Sequence, residues 1–229
     1  VKLMTGQNWD ECDGLSSKIV GDGNRITREG VTCHGVRLLI RGNRNLVSIG
    51  QGTLLRDLII DIRGDGHVLK IGEGSDIRGV LSMFSNPTRL MIGKNTSFVN
   101  VRITAGEGAD VEIGEDCLLS RNIEIRSTDQ HGLYDLSTRK RLNMAAPVWI
   151  MDHVWIGEGV TICKGVRVAQ NCVIGAGSVV TKSFETGNCV VAGSPAMVRR
   201  KRITWARTLQ DELSTIEASR WTDKSSDMG

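Results

Sequence analysis

Four histidines stand at positions 34, 67, 131 and 153 of the 229-residue chain, and one of them lies in a stretch built like a reactive loop. His131 sits inside Ser127-Thr128-Asp129-Gln130-His131-Gly132-Leu133-Tyr134-Asp135, a polar run that continues through Arg141-Leu142-Asn143. An imidazole with an unperturbed pKa near 6.5 exchanges its proton at neutral pH, so it can accept the proton of a hydroxyl nucleophile. The same residue types also describe a solvated loop, and on residue types alone both readings stand. A second cluster is Arg199-Arg200-Lys201-Arg202. Guanidinium groups grip phosphate bidentately, although a basic run is equally a solvated face. The six cysteines, at 12, 33, 117, 163, 172 and 189, contain no C-x-x-C pair and read as reduced, buried thiols rather than a disulfide framework.

The elements that position these groups follow from composition and repeat. Lys and Arg number 29 against 26 Asp and Glu, a net charge of +3, too weak to imply a nucleic-acid partner. There are 27 glycines, only 3 prolines and 4% aromatics, which means frequent tight turns around a core of Ile, Val and Leu. That is a β composition. No apolar run approaches the roughly 18 residues of a membrane-spanning helix, and Val-Lys-Leu-Met-Thr-Gly has no secretory apolar region. The expectation is a soluble, cytoplasmic protein.

Residues 156–185 divide into consecutive hexads whose first positions are Ile156, Ile162, Val168, Ile174 and Val180. Second positions are small (Gly157, Cys163, Ala169, Gly175, Thr181). A period of six fits neither a helix nor a long alternating strand; it fits very short strands broken by turns. Upstream, Ile49-Gly50-Gln51-Gly52-Thr53 is echoed at Ile71, Ile92 and Ile113, each followed by glycine. Those repeats mark three-sided coils slightly longer than three hexads.

These hexads, with Val154-Trp155-Ile156-Gly157, Val173-Ile174-Gly175-Ala176-Gly177-Ser178-Val179-Val180-Thr181-Lys182 and Ala192-Gly193-Ser194-Pro195-Ala196, resemble the hexapeptide-repeat acetyltransferases over residues 38–198. Within them the chain is most similar to bacterial capsule and lipopolysaccharide O-acetyltransferases. The resemblance implies an all-β fold, a left-handed parallel β-helix shaped as a triangular prism. Residues 1–35 are expected to cap it, 36–198 to form the prism with a loop excursion near 127–147, and 199–221 to form a C-terminal helix from the spacing of Leu209, Leu213 and Ile216. Residues 222–229 read as a tail.

The resemblance also implies roles. His131 becomes the general base for direct acetyl transfer from acetyl-CoA, and Trp155 lies beside the developing oxyanion. Asp129 orients His131 or touches the acceptor, and Asn100, displaced by one residue from the family's position, touches the acceptor. Gly175, Ala176 and Gly177 let the pantetheine arm approach the backbone. Thr181, Lys182 and Arg200 fall near the nucleotide, while Met197 replaces a basic residue of some relatives. No metal is required, and a homotrimer with three sites between prisms is implied. Antibiotic or nucleotide-sugar acetyltransferases share the cofactor motifs, and a β-helix scaffold without catalysis is the non-enzyme alternative. A gamma-class carbonic anhydrase needs a close histidine pair, which is absent here.

Overall fold

The computed structural model describes residues 6–215 and residue 219. The chain winds into stacked three-sided coils, and each strand pairs in parallel with its counterpart one coil on. The first face begins at Leu15–Val20 and ends at Val179–Val180. A second runs from Arg25–Thr27 to Arg167–Val168, and a third from Thr32–His34 to Cys189–Gly193. Residues stacked in adjacent coils are 21 or 22 positions apart early in the chain and 18 or 17 apart late. The hexads explain the tighter value: Ile156, Ile162, Val168, Ile174 and Val180 all point inward at 0% exposure. Each strand contributes an aliphatic side chain to one continuous core along the axis.

The Ile-Gly pentads form the edge between second and third faces. Thr53, Ser75 and Thr96 turn inward there and donate their hydroxyls to the carbonyls of Gly72, Gly93 and Gly114 at 2.9, 3.1 and 2.9 Å. A Cβ at Gly72 would lie 2.4 Å from the Lys94 nitrogen of the next coil, so only glycine lets these corners stack. Beside them runs a column of left-handed residues, Asn95, Asp116, His153, Asn171 and Asn188, with φ between 52 and 56°. Asn, Asp and His are the non-glycine residues that most often adopt that conformation, and His153 is held further by the contacts described below.

A buried polar ladder holds the edge between first and second faces. Asn24 Oδ1 accepts the Asn45 side-chain amide at 3.0 Å, and Asn45 Oδ1 accepts the His67 N–H at 2.8 Å. The Thr88 N–H then donates to His67 Nδ1 at 3.2 Å, which leaves the proton on Nε2, 3.2 Å from the Arg63 carbonyl. His67 is fully enclosed, and burial pushes its pKa below 6.5. The native state therefore keeps His67 neutral while the unfolded chain protonates it first. Stability from this residue is complete above about pH 6.5 and declines as pH falls below it, toward the native pKa. Thermal melts between pH 7.5 and 5 should show that decline, and His67→Asn, which keeps an acceptor, should flatten it. An unchanged slope in the variant would assign the decline to other groups.

Two boundaries differ from expectation. Leu15–Val20 pairs in parallel with Val36–Arg41, so coiling starts at Leu15, and of the expected 35-residue cap only Gly6–Cys12, antiparallel to Leu15–Val20, lies outside the coils among the described residues. The corner Arg28-Glu29-Gly30-Val31 lacks the Ile-Gly pair, which hid this coil.

At the other end, Ala196–Lys201 is a strand, antiparallel to Cys189–Gly193, and not the start of a helix. Residues 202–214 are irregular, with Leu209 fully exposed; Thr215 and Ser219 are helical, and Ile216 with the 222–229 tail lies outside the described residues. Leu209 and Leu213 find no core to face, because Trp205 anchors this segment instead.

Past Lys201 the chain descends the second–third edge as a strap. The Ile203 N–H donates to the Asn188 carbonyl at 3.0 Å, and the Thr204 hydroxyl to Asn171 Oδ1 at 2.9 Å. Trp205, 8% exposed, stacks on the His153 imidazole with ring centres 4.2 Å apart and planes 9° from parallel. Its indole N–H donates to the His153 carbonyl at 2.8 Å. Arg207 meets Asp116 Oδ1 at 3.2 Å and donates to the carbonyls of Asn95 and Cys117, each at 3.0 Å. This clamp encloses the left-handed His153 on its ring face and at its carbonyl.

Candidate active site

One coil is opened by an insertion: Glu115 and Asp152, stacked in adjacent coils, are 37 residues apart. The insertion leaves the first–second edge after Ile123–Arg126 and returns at Val148–Ile150. Its root is fixed by the ladder's last members. The buried Ser127 hydroxyl donates to the Ala109 carbonyl at 2.8 Å and accepts the Gly106 N–H at 3.2 Å. Glu107 receives both the Thr128 hydroxyl and the Arg141 guanidinium, the latter through two nitrogens. Arg141 and then Thr128 hold the Glu107 carboxyl below the usual range.

His131 is gripped through its backbone. Asn143 Nδ2 donates to the His131 carbonyl at 2.8 Å and to Asp129 Oδ2 at 2.8 Å. Its Oδ1 accepts the Leu133 N–H at 2.7 Å. Lys164, one coil on, pairs with Asp129 and donates to the Asn143 carbonyl at 3.2 Å. The Lys164 ammonium, with Asn143, draws the Asp129 pKa down. Asp129 is therefore committed to Lys164 and Asn143: it positions the His131 backbone. The imidazole stays exposed at the surface. Sequence reading missed Asn143, Lys164, Glu107 and Arg141; the x-x-Asp-x-His spacing around 129–131 held no sign of partners 14 and 35 residues away.

Thr181 and Lys182 follow Val179–Val180 on the same first–second edge. Lys182 shares the wall of a cavity of about 440 Å³ with Phe184, Cys189, Met197 and Lys201. Arg200 stands opposite Val190 on the terminal antiparallel strand, exposed, and Lys201 rather than Arg200 faces that cavity.

The other residues lie elsewhere on the prism. Gly175, Ala176 and Gly177 form the corner between third and first faces. Gly177 has φ +68° with open space where a Cβ would be, so an extended ligand can approach its backbone. Asn100 occupies an earlier corner of this same edge and is not brought to His131 within one chain. Trp155 lies on the third face between Leu118 and Val173, 39% exposed, with its ring 6.1 Å from Trp205. One chain thus separates His131 from Trp155 and the glycine corner.

The profile of the bacterial transferase hexapeptide (six repeats) family matches residues 147–182. The chain is similar to the polysialic acid O-acetyltransferase of Neisseria meningitidis, 36% identical over 176 residues covering 77% of this chain and 82% of that one. Similarity to the polysialic acid O-acetyltransferase of Escherichia coli O1:K1 is 34% over 126 residues, 55% of this chain but only 41% of that protein. The crystal structure of the polySia specific acetyltransferase NeuO superposes with a TM-score of 0.83 and 31% identity, covering 91% of this chain and 97% of that one. The coils are therefore those of a left-handed parallel β-helix, as the family resemblance implies.

Proposed function

Since the chain belongs to the hexapeptide-repeat acetyltransferases, we propose that it transfers the acetyl group of acetyl-CoA to a hydroxyl of a bacterial capsular polysaccharide or its precursor. The relatives that match most of its length act on polysialic acid, which makes a sialic acid polymer the first acceptor class to test. The observation that carries the reading is the braced root of the insertion, where Asn143, Asp129 and Lys164 fix the His131 backbone and leave its imidazole exposed.

His131 accepts the acceptor's hydroxyl proton as that oxygen bonds to the thioester carbonyl carbon. The imidazolium then returns the proton to sulfur as the C–S bond breaks. A positioned base of this kind contributes about 10²–10⁴-fold. The thioester is already activated, so transfer is direct, with no acyl-enzyme. Trp155 borders the carbonyl oxygen as charge builds on it, and the Gly175–Gly177 corner receives the pantetheine arm.

These groups lie on different edges of one prism, so a complete site draws on two chains. Leu133, Tyr134, Leu136, Leu142 and Met144 of the insertion are all at least 59% exposed, an apolar surface suited to a neighbouring prism. We infer a homotrimer. Among the described residues no helix is long and apolar enough to cross a membrane, and a cytoplasmic location belongs to this proposal.

The full chain should release CoA thiol from acetyl-CoA only when a sialic acid polymer or other hydroxyl-bearing glycan is present. Release without any acceptor dependence, or acetylation of amines alone, would overturn the reading. Arg200→Ala tests the nucleotide end. A lost charge-assisted bond at this exposed strand should raise the KM for acetyl-CoA by up to about 10-fold, with kcat unchanged. Acetyl-pantetheine, which has no nucleotide, should not register the change. If turnover of both donors drops equally, Arg200 serves the fold.

A further inference from the structure

Val173 and Val190 are parallel partners in the last two coils, so Cys172 and Cys189, which precede them, stand opposite each other. Adjacent strands lie about 4.8 Å apart, inside the Cα separation of roughly 4.4–6.8 Å that a disulfide spans. The two thiols point together: Sγ to Sγ is 3.3 Å, and both sulfurs face the Thr186 carbonyl, at 3.7 Å from Cys172 and 3.4 Å from Cys189. Cys189 also forms part of the wall of the 440 Å³ cavity, with Lys182 and Lys201. The other described cysteines lack this combination. Among the cysteines whose side chains are described, Cys33 and Cys117 are buried with no thiol partner, and Cys163 lies partly exposed just after Thr161–Ile162.

We propose that Cys172 and Cys189 are an oxidisable dithiol that takes a small hydroperoxide through this cavity and closes to an intramolecular disulfide. The Cys189 thiol gives up its proton and the thiolate attacks one peroxide oxygen; the O–O bond breaks, Cys189 becomes a sulfenic acid, and the departing hydroxide takes that proton and leaves as water. Cys172 then attacks that sulfur. The S–S bond forms as the S–OH bond breaks, and the hydroxide takes the Cys172 proton. Two thiols and one hydroperoxide thus give one disulfide, with the peroxide oxygens leaving as two waters when the oxidant is hydrogen peroxide. The sulfurs need to approach by little more than about 1 Å to reach bonding distance near 2.05 Å.

The roles of the two thiols follow from their surroundings. Cys189, unlike Cys172, lines the cavity wall, and its hydrogen bond with the Cys172 thiol, followed by the Lys201 ammonium, lowers its pKa. The same bond pushes Cys172 upward. Cys189 is therefore the attacking group and Cys172 the resolving one. The Cys117 thiol, pushed up to about 12 by burial, is the internal comparison.

The experiment uses the full wild-type chain and is independent of acetyl transfer. After exposure to hydrogen peroxide and quenching, the chain is unfolded, alkylated and digested. A linked Cys172–Cys189 peptide should appear at least about tenfold faster than any change at Cys33 or Cys117, and a reductant should abolish it. In Cys172→Ser, a sulfenic-acid trap should label Cys189. Both thiols remaining alkylatable after peroxide, or Cys189 advancing to sulfinic acid with no linked peptide, would overturn the proposal.

Discussion

His131→Ala should lower kcat for acetyl transfer by about 10²-fold or more while acetyl-CoA binding changes little. The imidazole is exposed at the insertion, and its removal leaves the bracing intact, because Asn143 holds the His131 carbonyl and the Leu133 N–H and does not touch the ring. Steady-state kinetics with saturating acceptor read kcat, and calorimetry reads donor binding. Near-normal turnover would remove His131 as the base. The shared site adds a sharper expectation: His131→Ala and Trp155→Ala chains, each inactive alone, should regain activity when refolded together. Recovery depends on one assembly pairing an intact histidine with an intact tryptophan from another chain. Failure to complement, with mixed trimers formed, would place both residues in one protomer's site.

The largest loss of stability is expected from Trp205→Ala. The indole is almost wholly enclosed, lies flat on His153 and donates to its carbonyl. Truncating a buried tryptophan costs about 3–5 kcal/mol. For a domain of this size that is a drop in Tm of roughly 6–20 °C. Trp205→Phe keeps the stacking but loses the donor, and should fall between. A calorimetric change below about 1 kcal/mol would mean that the strap does not hold the prism in solution. The left-handed His153 is the reason to expect more than simple burial, since the strap encloses it on its ring face and at its carbonyl.

The sequence made the upper coils plain because a hexad is a local signal: Ile156 and Ile162 carry the same inward role six residues apart. The first coil was illegible for a physical reason. Its corner needs a left-handed residue, which Gly30 supplies, yet Arg28 and Glu29 replace the Ile-Gly pair that advertises the later corners. The strap was unreadable because its partners are remote: Trp205 meets His153 at 52 residues' separation, and Arg207 meets Asn95 at 112. No periodicity encodes such contacts, and Leu209 and Leu213 offered a false helical one. At the insertion, the polar run around His131 is legible in the sequence, but the partners of Asp129 are not. A carboxylate two residues from a histidine suggests a direct contact, whereas Lys164, arriving from the next coil, captures it first.

Both ends of the stack finish in the opposite direction: Gly6–Cys12 runs antiparallel to the first coil, and Ala196–Lys201 antiparallel to the last. A prism of parallel coils presents at each end a template onto which another prism could add in register, and so on without limit. An antiparallel strand at each end presents the wrong hydrogen-bond spacing for a further parallel coil. On the two faces they cover, the reversals terminate a fold that otherwise has the repeat symmetry of a fibre.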